Sequence, residues 1–378
     1  MSNIIYLDNA STTSPCPEAI DAVKSALECY GNPSSLHRLG LESEKIIEKS
    51  RNIIASRLGA DKKKVYFTSG GTEANNTAIF GMARALKKRG NKIITSKIEH
   101  PSVLESFKAL EGEGFNVVYL DVLPDGRVDV SQAESQIDEN TSLVSIMTVN
   151  NETGIIQPVK EISKILHEKS EFGVFHTDAV QAFGKVDCSI RATGADLISV
   201  SSHKIHGPKG VGAVYAGVNK LSPIIYGGSQ QSALRPGTEN VPGIAGFGAA
   251  AELENKSCDI LYDALKKGIL DLIPDVKING AEEFASKYVL NVSFVGAKAE
   301  VLLHTLENYN IYVSTGSACS AHKPDPSHVL TAMGLSREET GGAVRFSFSK
   351  ENTLEEIEKT VDILNKEVAV LRRYTRNR

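Results

Sequence analysis

The feature that most constrains this chain is an alternation of short β-branched runs with amphipathic stretches. "KVYFTS" predicts a strand; a helix from Thr72 follows with Ile79, Met82, Ala83 and Leu86 on one stripe, and "KIITS" predicts the next strand. The alternation continues with a helix carrying Val103, Leu104 and Phe107, then strands at "NVVYLDV" and "SLVSIMTV". A helix from Ile162 to Lys169 and strands at "FGVFHTDA" and "ADLISVS" complete it. Repeated β-α units predict an α/β fold with an open, mostly parallel sheet covered by helices, whose ligands gather at the carboxyl ends of the strands. Beyond about Ala250 the pattern changes to two helical segments, short strands near "YVLNVSF" and "AVRFSFS", and a terminal helix from Leu354 to about Arg372. This predicts a smaller α+β domain. The boundaries expected are 16–250 for the large domain, with 1–15 and 251–378 forming the small one. A length of 378 residues agrees, because single cores stop growing near ~250–300 residues.

Composition narrows the function classes. With 41% hydrophobic residues, 23% charged and a net charge of −4, there is no polybasic surface, so direct nucleic-acid binding is not expected. The opening "MSNIIYLDNASTT" has no basic region leading an apolar run, which predicts neither a signal peptide nor a membrane span and favours a cytoplasmic address. Five cysteines, Cys16, Cys29, Cys188, Cys258 and Cys319, show no CxxC pairing, and an odd number argues against a secreted disulfide framework. His322 lies three residues after Cys319, and His203 and His206 are similarly close. No third and fourth ligand has suitable spacing, so no metal site is expected.

Several polar residues fall where the predicted strands end. "FTSGGTEANN" closes a strand in Ser69-Gly70-Gly71 and opens a helix at Thr72-Glu73; this is either an anion site built from free N–H groups or a plain glycine turn with a Thr cap. Neither a Walker A nor a GxGxxG pattern is present. "HTDAVQ" ends another strand with Asp178 and Gln181, and Lys204 of "SSHKIHGPKG" follows a further strand. A carboxylate and a lysine on neighbouring strand ends, beside a glycine-opened helix, suit pyridoxal phosphate: the lysine forms the imine, and the carboxylate holds the pyridine nitrogen protonated. Taken singly, Asp178 reads equally as a cap and Lys204 as a surface residue. His100, in "KIEHPSV", is either a satisfied loop histidine or a ring stacked on that cofactor.

The stretches "YLDNASTT", "GNPSSLH", "TSGGTEANN", "EHPSV", "VNNETG", "HTDAVQ", "SSHKIHGPKG", "RPGTEN", "GSACS", "PSHVL" and "VRFS" occur in one order across nearly the whole chain. In that order the sequence resembles a cysteine desulfurase of the nitrogen-fixation and iron-sulfur cluster assembly type, among the class V aminotransferases with the pyridoxal-phosphate transferase fold (fold type I). The resemblance implies that Lys204 carries the cofactor, Asp178 pairs with its ring nitrogen and His100 stacks on the ring. Gln181 and Asn151 would approach the phenolic oxygen, while Gly71, Thr72, Ser201 and His203 would hold the phosphate. Thr238 would reach in from a second subunit, implying a homodimer. Arg345, with Asn32 nearby, would bind the carboxylate of L-cysteine. Cys319 would take the substrate sulfur as a persulfide, leaving alanine, with His100 moving protons. The stretch from Ser317 to Asp325 resembles the long loop of the group that hands sulfur to a protein acceptor, such as a cluster scaffold or a tRNA-thiolation enzyme.

Two departures stand out. Ser11 replaces an alanine often found in "YLDNAATT", and "SAHKPDP" differs from the usual sequence after the cysteine. Selenocysteine lyase and other class V activities such as aminotransfer are the alternative enzymes; Cys319 discriminates, because simple transamination has no use for a loop thiol. A non-enzymatic interaction protein that has lost its chemistry is a further alternative. The presence of Lys204, Asp178, His100 and Cys319 speaks against it.

Overall fold

The protein is described by a computed structural model that covers residues 4–253, 257–315 and 326–376. Its strands are β1 (Ile5–Tyr6), β2 (Val65–Thr68), β3 (Lys92–Ser96), β4 (Asn116–Leu120), β5 (Thr141–Ser145), β6 (Val174–Asp178), β7 (Leu197–Ser201), β8 (Gly212–Ala216), β9 (Val276–Ile278), β10 (Val289–Phe294), β11 (Ile311–Tyr312), β12 (Ser314–Thr315) and β13 (Ala343–Ser347). The helices are α1 (Pro17–Glu28), α2 (Arg38–Leu58), α3 (Gly71–Leu86), α4 (Pro101–Gly112), α5 (Val130–Gln136), α6 (Val159–Lys169), α7 (Ile190–Thr193), α8 (Val241–Glu252), α9 (Asp259–Leu272), α10 (Ala299–Glu307), α11 (His328–Ala332), α12 (Arg337–Gly341) and α13 (Leu354–Arg376).

The main sheet runs β2-β8-β7-β6-β5-β3-β4. Pairing is parallel from β7 through β6, β5 and β3 to β4, and antiparallel on both sides of β8. Strands β2 and β7, each antiparallel to β8, therefore run the same way and end at the same edge. Every residue of β5, β6 and β7 is buried, as expected for central strands covered on both faces. Their polar side chains pair across strands: His176 Nδ1 lies 2.7 Å from Ser145 Oγ, and its Nε2 lies 2.9 Å from Ser199 Oγ. Burial pushes His176 down to about 3, so the ring is neutral at ordinary pH.

The helical stripe expected after β2 is present: Ile79, Met82 and Ala83 are buried in α3, with Leu86 packed at its margin. Two expected strands are shorter than their apolar runs, ending at Leu120 and Ser145; beyond Ser145 the run continues into Met147 and Val149, which line the cavity described below. Strand β8 is not foreshadowed by the alternation, because no helix separates it from β7 and glycines interrupt its run. Helices α1 and α2 pack on α8 ahead of the first sheet strand. A second apolar cluster joins Ile5 and Leu7 to residues 258–368, around the sheet β12-β13-β10-β9 and α13.

Candidate functional site

Because β2, β3, β6 and β7 end at one edge, their following residues converge on a single cavity of about 630 Å³. Its wall includes Gly71, Thr72, His100, Asn151, Asp178, Gln181, Ser201, His203, Lys204 and Arg345. Sequence positions as far apart as 71 and 345 are thus brought together. Asn32 and Thr238 are exposed and lie outside that wall. Cys319 and His322 lie outside the described residues. Thr315 and Pro326, the described residues on either side of that segment, both line the cavity.

Lys204 closes the short turn that leaves β7. Its Nζ donates to the carbonyls of Ala10 and Ser11, each at 2.7 Å, which aims the amine across the cavity wall. Asp178, at the end of β6, is buried; Oδ2 accepts from Asn75 Nδ2 at 2.7 Å and Oδ1 accepts from the Val180 N–H at 2.9 Å. The carboxylate is thus fixed in orientation. Gln181 Nε2 donates to the Ala10 carbonyl at 2.9 Å, while its Oε1 accepts from Lys185 Nζ at 3.4 Å.

Helix α3 begins at Gly71, directly beyond β2, so its first N–H groups point at the cavity. Beside it, Ser201 Oγ is buried without a hydrogen-bond partner among the described residues, as is the neighbouring Ser202 Oγ. A buried hydroxyl left unmade costs about 1–3 kcal/mol, so an orphan at a cavity wall marks a place built for an added acceptor. Gly212 explains the close approach: a Cβ there would meet Val200 O at 2.7 Å and the Gly70 carbonyl carbon at 2.8 Å. His203 Nδ1 lies 3.2 Å from Thr12 Oγ1, and burial, then Lys204, Lys209 and Lys185, push its ring down to about 4.

His100 caps α4, with Pro101 in the first helical turn. Its Nδ1 accepts the Ser102 N–H at 3.1 Å, which leaves the proton of the neutral ring on Nε2. Burial holds this imidazole below its ordinary range; Asp178 pulls upward, while Lys204 and His328 push down. At neutral pH the ring is uncharged and can take up a proton.

Arg345 arrives from β13 in the second cluster. Nη2 donates to Asp8 Oδ1 at 2.8 Å and to Ser11 Oγ at 3.2 Å, and Nη1 donates to the Asn151 carbonyl at 2.9 Å. Its Nε is buried with no acceptor among the described residues.

Sequence reasoning missed Asn75, which orients Asp178 and also donates to Ser102 Oγ at 2.9 Å; its only signal is a position four residues after Gly71, on the same helix face. It also missed two buried acids. Glu99 accepts from Ser96 Oγ at 2.6 Å and from the Met147 N–H, and burial pushes it up to about 8. Glu152 accepts from Ser327 Oγ at 2.5 Å, and Ser327 in turn caps α11 through the Leu330 N–H. His328 Nε2 donates to the Glu99 carbonyl at 3.0 Å.

The pattern of the aminotransferase class-V family matches residues 5–360. A cysteine desulfurase, IscS, of Clostridium botulinum is 43% identical over 378 residues, covering 97% of this chain and 94% of that protein. A NifS-like protein of known structure superimposes with a TM-score of 0.91 at 37% identity, over 97% of this chain and all of that one. A structure described as SspA in complex with cysteine gives a TM-score of 0.83 at 35% identity, over 92% of this chain and all of that one.

Proposed function

Because the chain belongs to the aminotransferase class-V family, we propose that it is a pyridoxal-phosphate-dependent cysteine desulfurase that converts L-cysteine to L-alanine and carries the sulfur away on Cys319. One observation carries this reading: Lys204, the fixed carboxylate of Asp178 and the orphan hydroxyl of Ser201 face one cavity, at which both ends of the Cys319 segment arrive. The residues present fit the cofactor, since an amine, a buried carboxylate and an unpartnered donor beside a helix N-terminus are the three contacts it requires. Pyridoxal phosphate, when bound, withdraws electrons from the substrate's carbon skeleton and makes its sulfur open to attack.

Gly71, Thr72 and Ser201 would hold the phosphate through N–H and O–H groups. His203, neutral at pH 7, adds a hydrogen bond rather than a charge. Asp178 would balance the positive ring nitrogen, and Gln181 and Asn151 would approach the ring's oxygen. Lys204 Nζ would hold the cofactor and is the amine placed to take the proton from the substrate Cα. Arg345 binds the α-carboxylate, for which a guanidinium fork is suited. Cys319 lies four residues beyond Thr315, within about 14 Å of extended chain, so its thiol can reach the cavity. Its thiolate attacks the substrate sulfur: an S–S bond forms, the C–S bond breaks, and the electron pair stays with carbon, which takes a proton to give alanine. His100 is the imidazole placed to move that proton.

Thr238, exposed and outside this chain's own cavity, would serve the cavity of a second subunit, and Asn32 would have to act in the same way. The acceptor of the persulfide sulfur is a protein of cluster assembly or tRNA thiolation. We place the protein in a reducing, cytoplasmic setting, where the thiols of Cys16, Cys29, Cys188 and Cys258, none of them in a disulfide among the described residues, would stay reduced. Of three apolar clusters, the one whose buried members are confined to residues 5–7 and 258–368 supports a domain boundary near residue 250, while Val329, Leu330, Met333 and Ala343 pack in the first cluster with residues 16–251.

The test is a single turnover of cofactor-loaded protein with L-cysteine, following alanine and locating the persulfide by mass spectrometry, alongside Cys319→Ala. Alanine with sulfur on Cys319, both lost in the variant, is expected. A variant that makes alanine as fast as wild type would remove the thiol from the reaction and bring other class V activities forward.

A further inference from the structure

Ser11 lines the cavity, and its hydroxyl touches Arg345. The guanidinium is not free to attract a substrate carboxylate at full strength. Asp8 neutralises it at 2.8 Å, and the Asn151 carbonyl takes another of its N–H groups at 2.9 Å. A paired arginine draws a second carboxylate less strongly than a lone one, so a further donor is needed, and a neutral donor supplies it without adding buried charge.

Ser11 Oγ meets that need. It accepts from Arg345 Nη2 at 3.2 Å, and its own proton has no acceptor among the described residues. A hydroxyl that accepts from a cation is polarised into a better donor. The backbone around it is held independently: the Ser11 N–H donates to the Asp8 carbonyl at 3.0 Å, and its carbonyl accepts from Lys204 Nζ at 2.7 Å. The side chain can therefore be changed while the amine of Lys204 keeps its anchor.

We propose that Ser11 is a specificity-determining donor of the carboxylate subsite: its hydroxyl, held by Arg345, donates to the α-carboxylate of an amino-acid substrate. The inference rests on the assignment of Arg345 to that carboxylate. It makes this chain more selective for α-carboxylates than a relative with alanine at the position, because Ala offers the same backbone and no proton.

The experiment compares Ser11→Ala, Ser11→Thr and Arg345→Lys as cofactor-loaded proteins. The KM and kcat for L-cysteine are measured, together with the inhibition constant of cysteamine, which keeps the amine and thiol but lacks the carboxylate. Ser11→Ala is expected to raise KM about tenfold, or about 1.4 kcal/mol, the lower end of what a hydrogen bond to a charged group contributes. The kcat should move less, since the carboxylate is held alike before and during the reaction. Cysteamine inhibition should not change, and Ser11→Thr should restore most of the KM. If Ser11→Ala weakens cysteamine as much as L-cysteine, or neither, while Arg345→Lys penalises only L-cysteine, the role of Ser11 is overturned and that of Arg345 stands. If Arg345→Lys shows no carboxylate-specific penalty, the subsite itself is misassigned and both fall.

Discussion

Gly212 gives the sharpest test of how the cavity is built. It pairs with Ser201 on one side and Thr68 on the other, so it sits where β8 holds the ends of β7 and β2 together. A methyl group there would come within 2.7 Å of Val200 O and 2.8 Å of Gly70 C and Cα, short of ordinary contact at 3.4 Å by up to 0.7 Å. All three obstacles are backbone, so no side chain can swing away. Gly212→Ala must therefore separate the strands or push Gly70 outward, at an overpacking cost of ~1–3 kcal/mol. At ~2–4 °C per kcal/mol for proteins somewhat shorter than this one, the melting temperature should fall by about 2–12 °C. The displacement also moves the start of α3 away from Ser201, which predicts a larger loss of pyridoxal phosphate affinity than of stability. Thermal melts of cofactor-free protein and equilibrium dialysis of the cofactor measure the two effects. Gly112→Ala is the control: it lies at the end of α4 with nothing within 4 Å of the new Cβ, so it should be neutral or stabilising by up to ~1 kcal/mol. Wild-type melting and wild-type cofactor affinity in Gly212→Ala would refute the view that backbone contact sets the geometry of this wall.

Ser201→Ala should show opposite signs in two assays: the cofactor-free protein should melt no lower than wild type, because a buried unpartnered hydroxyl is removed, while cofactor affinity falls because a phosphate donor is lost. Loss in both assays would mean that the hydroxyl has a protein partner. Glu99→Gln should change the pH dependence of stability. With Glu99 pushed up to about 8, the folded protein keeps a proton that the unfolded chain releases near its ordinary 4.5, so wild-type stability falls as pH rises between those values. Glutamine keeps an acceptor for Ser96 and Met147 without titrating, so urea midpoints should favour the variant progressively from pH 5 to pH 8. A constant difference would show that Glu99 is not held protonated.

The sheet and the residues on its strand ends were legible because each rests on local pattern. Asp178, Lys204 and the Gly71 turn stand beside strong β-branched runs, and strand ends are where α/β folds present their ligands. Less was legible where geometry depends on distant backbone. Strand β8 lacks the helix that marks its neighbours, and its antiparallel direction is what lets β2 end beside β7. Asn75 looks like an ordinary helical asparagine until Asp178 is placed 2.7 Å away across 103 positions. The ion pair of Arg345 with Asp8 spans 337 positions, and no period or spacing encodes it.

The segment from Tyr6 to Cys16 shows why such contacts matter. Asn9 Nδ2 donates to the Ser347 carbonyl, and the Ala10 N–H donates to Ser347 Oγ, tying it to the strand that carries Arg345. The same segment offers Ala10 O to both Lys204 and Gln181, Ser11 O to Lys204, and the Thr13 and Cys16 N–H groups to His203 O and His206 O. Amine and amide are therefore positioned by carbonyls of this stretch that any residue would provide, and the guanidinium by the side chains of Asp8 and Ser11. A side-chain substitution there leaves most of this frame in place, whereas a change in its backbone path would move Lys204 and Arg345 together. The chemistry is written in the side chains at the strand ends, and its geometry in a peptide backbone that bridges two of the three apolar cores.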